Sequence, residues 1–380
     1  MKIVFITLGF SPFRASGLDL SGERLVLQLL KKGHEVAVIA GTRGDADEHI
    51  HDPHLKIHRI PLDNSDWIGF GYRATKIVNS LDDHDVVHFW DIHFGWAYRK
   101  KFIGSLQHSF QQRIQSLGSL TTSADFNYVI KYIYYTVAKH FFEIPSINRA
   151  QSLLAGSNTS REMFIEDYQI PPGKIEIARH GVDTDFFKPI NEVQSLRENL
   201  GIEHDEPVIL FAGFITPRKG LEYLAHAMPD IKPQPKLLII GRWRSPSYRK
   251  KVMGLFQPYK DRVIDLGFVA DQDMPGYFSL ADVYVSPSLL EGFGLPIVEA
   301  LACGTPVVAA DSGSVAEVMG PGGILVNPRD AKSLAEEISI LLQDQALREK
   351  LGNLGRKFAV REFSLDSMVS AMLNAYEKLI

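Results

Sequence analysis

Glu291-Gly-Phe-Gly-Leu-Pro-Ile-Val-Glu299, running on through Ala-Leu-Ala-Cys-Gly-Thr-Pro-Val-Val308, places two carboxylates around the start of a short helix. Pro296 has its φ pre-set for the first helical turn and no N–H to lose there, and Gly292 and Gly294 let the backbone come close to a ligand. The N–H groups of that first turn and the positive end of the helix dipole suit a phosphate. Glu299, about one turn into the helix, is placed to accept hydrogen bonds from vicinal hydroxyls, and Glu291, in the loop ahead, from a second set. Either glutamate alone reads more simply as a surface or capping residue. The pair around one helix start reads as a holder of a polyhydroxylated anion.

Asp282-Val-Tyr-Val-Ser-Pro-Ser288 on one side is a buried strand ending in polar residues, and Thr305-Pro-Val-Val-Ala-Ala310 on the other is the next strand, after a helix stop at Gly304. Strand, glycine loop, helix and strand make a right-handed crossover, and ligands of open α/β sheets bind at the carboxyl ends of such strands. The same pattern recurs upstream in Pro207–Gly213, Pro235–Gly241 and Val263–Val269. Earlier still, strands are predicted over 2–8, Glu35–Ala40, His54–Ile60, Asp85–Phe89 and Phe102–His108, with a helix over Gly22–Lys32 that stops at Gly33. The fold class is therefore α/β, with two Rossmann-like doubly wound parallel-sheet domains. They are expected over 1–188 and 189–363, with their strand ends facing a cleft. The segment 364–380 is a final helix, apolar at Leu365, Met368, Met372, Ala375 and Leu379, that caps the second domain or crosses back to the first.

A chain of 380 residues suits two cores rather than one, and 41 Lys plus Arg against 45 Asp plus Glu, net −4, argues against general nucleic-acid binding. Cys303, the single cysteine, sits among Ala and Gly as a small buried residue. The apolar run after Lys2 is short, has no cleavage site behind it and fits a first strand, and no apolar segment reaches spanning length, so the expected location is cytoplasmic. Phe126–Phe142 is dense in aromatics; a core-packing helix is the expectation, with peripheral membrane contact the alternative. The histidines at 49, 51, 54 and 58 lack a metal-site framework and read as a polar loop.

Taken together, these residues resemble the retaining glycosyltransferases of the two-Rossmann-domain (GT-B) architecture, the large family of mannosyl- and glucosyltransferases with paired motif glutamates. The resemblance rests on Glu291–Glu299, on Gly213-Phe-Ile-Thr-Pro-Arg-Lys-Gly-Leu221, on Arg179-His-Gly-Val-Asp-Thr-Asp-Phe-Phe-Lys-Pro189 and on Lys32-Gly-His-Glu-Val36. It implies that Arg218 and Lys219, in the segment opened by Gly213, bind the diphosphate of a nucleotide-sugar donor, and that Glu299 binds the ribose. Glu291, with the N–H groups of Phe293, Gly294 and Leu295, would hold the donor sugar and phosphate. His108 would face that sugar, and the base would lie against backbone near Gly241, Phe268 and Val269. The glycine-rich first loop corresponds to Gly9 and to Gly17–Gly22, where the usual glycine pair is replaced by Leu20-Ser21-Gly22. His180 also departs from the family, which commonly has Asn there. Asp183-Thr-Asp185 imitates a metal-binding DxD but reads as a structural turn, so no metal and no other cofactor is expected.

The resemblance implies transfer of a hexose from a UDP- or GDP-linked donor to an acceptor hydroxyl with retention. A sugar-nucleotide epimerase or hydrolase of the same fold and a non-catalytic nucleotide-sugar-binding protein are the alternatives. A dinucleotide oxidoreductase is disfavoured because no GxGxxG follows the first strand. The acceptor, carbohydrate, lipid-linked or small molecule, is expected on first-domain loops around 11–21, 90–98 and 108–125. There Phe13, Trp90, Phe94 and Trp96 serve either as stacking surfaces or as core.

Overall fold

A computed structural model describes residues 1–13, 17–43, 50–62, 67–81, 83–120 and 126–380. By its internal contacts the chain falls into two units, Met1–Gly181 with Leu365–Ile380, and Val182–Ser364.

The first unit is built on a seven-stranded sheet in the order β3-β2-β1-β4-β5-β6-β7, every pair parallel. The strands are β1 (Lys2–Thr7), β2 (Glu35–Thr42), β3 (Leu55–Pro61), β4 (Val86–Phe89), β5 (Ile103–Leu106), β6 (Ser152–Ala155) and β7 (Ile175–Ile177). β1 shows why these strands read as unbroken apolar runs. Ile3 and Phe5 join Leu25, Leu29 and Met368 on one face, while Val4 and Ile6 join Phe70, Phe89 and Phe102 on the other. A parallel sheet covered on both sides has no face to leave polar.

The first helix, Gly17–Lys31, begins five residues ahead of its expected start at Gly22. Its opening is fixed from outside: Trp90 Nε1 donates to the Leu18 carbonyl at 2.9 Å, and a Cβ on Gly22 would stand 2.9 Å from that same nitrogen. Packing against Trp90, rather than a loop conformation, is what requires glycine at 22. The last helix, Leu365–Glu377, belongs to this unit and buries Met368, Val369, Met372, Ala375 and Tyr376. His88 bridges Tyr376 and Ser105 at 2.8 Å each; burial pulls its pKa to about 3, so the ring is neutral.

The aromatic segment departs from its expected place in the core. Helix Phe126–Ala138 continues through a π-turn, Lys139–Glu143, into Ile144–Arg149. Tyr135 stacks on Phe110, Ala138 is buried and Phe142 meets Trp96. On the opposite side Val129, Ile130, Ile133, Tyr134, Val137 and Phe141 are 41–67% exposed. The run is aromatic on both sides, but its neighbours cover only one. Among the described residues no helix is long and apolar enough to cross a membrane.

The second unit carries six parallel strands in the order β10-β9-β8-β11-β12-β13. They are β8 (Val208–Ala212), β9 (Lys236–Ile240), β10 (Val263–Gly267), β11 (Val283–Ser286), β12 (Val307–Ala310) and β13 (Gly323–Val326). Val208 and Leu210 pack with Val298, Leu301 and Phe363, and Ile209 and Phe211 pack with Leu224, Met228 and Ile338. The division at Gly181/Val182 precedes the expected boundary at 188, because Val182 and Phe187 lie in this core and Arg356 donates to the Thr184 and Phe187 carbonyls. Strand order reverses between β8 and β11, the switch point at which α/β sheets open a crevice beyond their carboxyl ends.

Candidate functional site

β8 leaves the sheet at Gly213, with φ 139°, and a Cβ on Gly241 at the end of β9 would lie 1.8 Å from the Gly213 carbonyl oxygen. Past it, Pro217–Lys219 forms a 3-10 turn closed by Gly220, whose φ is 68°. A Cβ on Gly220 would lie 1.9 Å from the Pro287 carbonyl oxygen, so this glycine lets the turn after β8 close onto the loop after β11. The Leu289 N–H donates to the Arg218 carbonyl at 2.8 Å, and the Arg218 guanidinium donates to the Leu290 carbonyl.

The closure brings three of the expected residues together. Lys219 Nζ is 2.5 Å from Glu291 Oε2, Arg218 Nη1 is 3.9 Å from Glu291 Oε1, and Ser288 Oγ donates to Oε2 at 3.1 Å. The loop is braced from below, where Ser312 donates to the Ser288 carbonyl at 2.7 Å and a Cβ on Gly313 would meet the Glu291 carbonyl at 2.0 Å. Glu291 is only 7% exposed. Burial alone would raise its pKa, but Lys219 and then Arg218 outweigh that and hold the carboxyl below its ordinary value. The site therefore carries a fixed carboxylate beside two cations.

Helix Leu295–Ala302 starts immediately after, with Gly294 at φ 93° as its cap and Pro296 in the first turn. Phe293 and Leu295 are buried and anchor the opening, and the N–H groups of a helix's first turn have no partner within the helix itself. Glu299 is half-buried on this helix. Burial raises the pKa of Tyr284 on β11, whose hydroxyl donates to the Ala212 carbonyl at 3.1 Å, and the charges of Glu291 and Glu299 raise it further. Both carboxylates thus act on one ring, and Glu291 pairs with Lys219 and Arg218. After β10, Phe268 is 62% exposed beneath the Arg242 guanidinium, 4.4 Å from its ring centroid, with Val269 half-buried beside it.

In the first unit His108 lies two residues past β5 and half-buried, where a strand running to 108 was expected. Asp91 follows β4; burial would raise its pKa, but His93 foremost and His108 more weakly hold it below the ordinary value. His93 sits between Asp91 and Glu143, 3.0 Å from Oε1 of the latter. Burial alone would lower it, but the two carboxylates push it up to about 9. Glu143, fully buried, accepts the Phe110 N–H on both oxygens at 3.2 and 3.1 Å and the Tyr168 hydroxyl. Sequence reading missed this chain and missed Ser288 and Ser312. Its one signal was an acid, Glu143, directly after an aromatic run with no acid from Phe126 to Phe142.

Other singled-out residues are structural. Ser21 and Gln107 bracket His180 at 3.0 Å each, and burial lowers that histidine to about 4. The two departures from the resembled family are therefore partners. Asp183 Oδ1 accepts the N–H groups of Asp185 and Phe186, completing a turn. Cys303 is buried, which pushes its thiol up to about 12. Trp90 and Phe94 are core. His49 lies outside the described residues, and among those described no group of three His, Cys, Asp or Glu is placed to hold a metal.

Comparison with known proteins bears on both units. Residues 192–358 match the model of Glycosyl transferases group 1, and residues 17–186 match that of Glycosyltransferase Family 4. An uncharacterized glycosyltransferase of Methanocaldococcus jannaschii is 28% identical, over 99% of this chain and 98% of that protein. A D-inositol 3-phosphate glycosyltransferase of Xylanimonas cellulosilytica is 27% identical, over 95% and 91%. Among solved structures, a sucrose-phosphate synthase from Thermosynechococcus elongatus matches with a TM-score of 0.81 at 23% identity, covering 100% of this chain and 98% of that one. Anabaena HepE in complex with UDP and glucose matches at 0.80 and 20%, covering 99% of each. These likenesses show the fold, the two-Rossmann-domain architecture of GT-B glycosyltransferases.

Proposed function

The chain belongs to the glycosyl transferases group 1 family, and from that premise we propose that it moves a hexose from a UDP- or GDP-linked donor to an acceptor hydroxyl with retention of configuration. The observation that carries this reading is the closed cluster of Arg218, Lys219 and Glu291 at the β8/β11 switch point, beside the start of helix Leu295–Ala302. A planar guanidinium beside an ammonium matches a diphosphate that gains charge as its bond to the sugar breaks. Glu291, whose present partner is Lys219, accepts from sugar hydroxyls once the diphosphate claims the cations. Glu299 takes the ribose, the N–H groups of Phe293, Gly294 and Leu295 take sugar and phosphate, and the base lies near Gly241, Phe268 and Val269. HepE is solved with UDP and with UDP-glucose, which supports a nucleotide sugar as the donor.

In the proposed step the anomeric carbon–phosphate oxygen bond breaks, its electron pair going to the phosphate. The acceptor oxygen bonds to the anomeric carbon from the same face, and its proton passes to the departing phosphate oxygen. No side-chain base is needed, and Arg218 and Lys219 supply the positive charge at the diphosphate. His108 is assigned to the transferred sugar on its motif alone.

Lys219→Ala is expected to lower turnover at saturating donor by roughly 10²- to 10³-fold, the cost typical of losing one stabiliser of developing charge. Turnover equal to wild type in folded protein removes Lys219 from the mechanism. Rapid donor consumption without acceptor assigns the site to an epimerase or hydrolase instead.

A further inference from the structure

The exposed side of helix Phe126–Ala138 is not explained by sugar transfer. Val129, Ile130, Ile133, Tyr134, Val137 and Phe141 follow one another at steps of one, three and four, so they share a single helical face. This face is contiguous, apolar and open to solvent, while the opposite side is seated on Phe110 and Trp96. Contiguous apolar surface of this kind marks a docking site rather than scatter.

Charge identifies the occupant. The chain as a whole is acidic, at −4, yet from Ile92 to Phe142 it carries Arg99, Lys100, Lys101, Arg113, Lys131 and Lys139 against one carboxylate, Asp125. Lys131 projects from the helix, and Arg99, Lys100 and Lys101 are exposed. Arg99 lies close enough to Arg149 to oppose its charge, and Arg149 donates to the carbonyl of Trp96, whose ring meets Phe142. Arg149, with Arg99 near it, therefore lies by the Trp96–Phe142 contact, and Phe142 is the next residue after Phe141 at the end of the apolar face. Among the described residues none of Arg99, Lys100, Lys101, Lys131 and Arg149 forms an ion pair. A second copy docking through the same patch would set these cations against their own counterparts, with Asp125 the one carboxylate of that stretch to meet them. An anionic lipid surface offers acyl chains to the apolar side chains and phosphates to the cations.

We propose that the first unit docks on anionic membrane surfaces through the outer face of helix Phe126–Ala138 and its π-turn, with the cluster of Arg99 and Arg149 at the headgroups. The helix lies in the interface and does not cross it. This inference goes beyond the transfer reaction and stands on exposure and charge alone.

The test is flotation of the full chain with vesicles of phosphatidylcholine, alone or with about 30% phosphatidylglycerol. The protein floats with the anionic vesicles and far less with the neutral ones, and raising NaCl from about 0.1 to about 0.5 M releases much of it. Ile133→Glu lowers the partition by about tenfold or more, with melting temperature and circular dichroism unchanged. Should that variant fail to fold, Phe141→Ser on the exposed π-turn carries the same expectation. The proposal is overturned if wild type stays unbound on both vesicles, if the folded variants float as well as wild type, or if sedimentation velocity shows a dimer that Ile133→Glu dissociates.

Discussion

Two residues show how much of the chemistry is set by neighbours. Lys219 and Glu291 are 72 positions apart, yet at 2.5 Å with side chains only 12% and 8% exposed they form one unit, with Arg218 beside them. Their motifs were legible because glycine, proline and paired acids leave a strong local signature. His93 was not, since nothing around it in sequence announces a buried cation between Asp91 and Glu143. A histidine raised from 6.5 to about 9 on folding contributes stability that is fully present below about 6.5 and lost as pH rises through 9. The unfolding free energy by urea titration is accordingly expected to fall over that window, and His93→Gln to flatten the fall. A wild-type curve that rises or stays level there, with other titrations accounted for by the variant, contradicts the assignment.

At the scale of elements, the strands that sequence made plain are those with four or more consecutive apolar residues, such as β1, β8, β9 and β12. β6, β7 and β13 hold no more than three consecutive apolar residues, and their pairing partners rather than their composition make them strands. The opening of helix Gly17–Lys31 was hidden because Trp90, far along the chain, fixes it. The aromatic helix was misjudged for the converse reason: aromatic density signals burial, but here the structure covers only one side. The turn Pro217–Lys219 is where an element's geometry controls the site. Gly220→Ala places a Cβ in a left-handed residue against the Pro287 carbonyl, so a loss of about 2 kcal/mol or more is expected in chemical denaturation. Donor affinity should fall with it because Arg218 and Lys219 shift; an alanine variant of wild-type stability and affinity would show that the close approach is not required.

For the whole molecule, periodicity announced a final helix but could not say which core receives it. That choice depends on the shape of the surface that Met368, Val369, Met372, Ala375 and Tyr376 enter, and they enter the first unit. Each of the Met and Val side chains among them, fully buried, is worth roughly 1.5–3 kcal/mol. A chain ending at Ser364 is therefore expected to lose the folded first unit while the second still melts cooperatively in calorimetry. Retention of both transitions would show that the helix is dispensable to the first core. The central claim concerns the second unit, where the cluster at the β8/β11 switch point is read as the seat of a nucleotide-sugar donor. Its most direct test is a melting-temperature screen against UDP, GDP, ADP and their sugar conjugates, run in parallel on wild type and on Lys219→Ala and Glu299→Ala. Ligand at about 100 times its Kd adds roughly 2.7 kcal/mol to the stability of the native state. The account predicts that one nucleotide class raises the wild-type midpoint and that both substitutions abolish or sharply reduce the rise; the same rise in all three proteins, or none for any ligand, would contradict it.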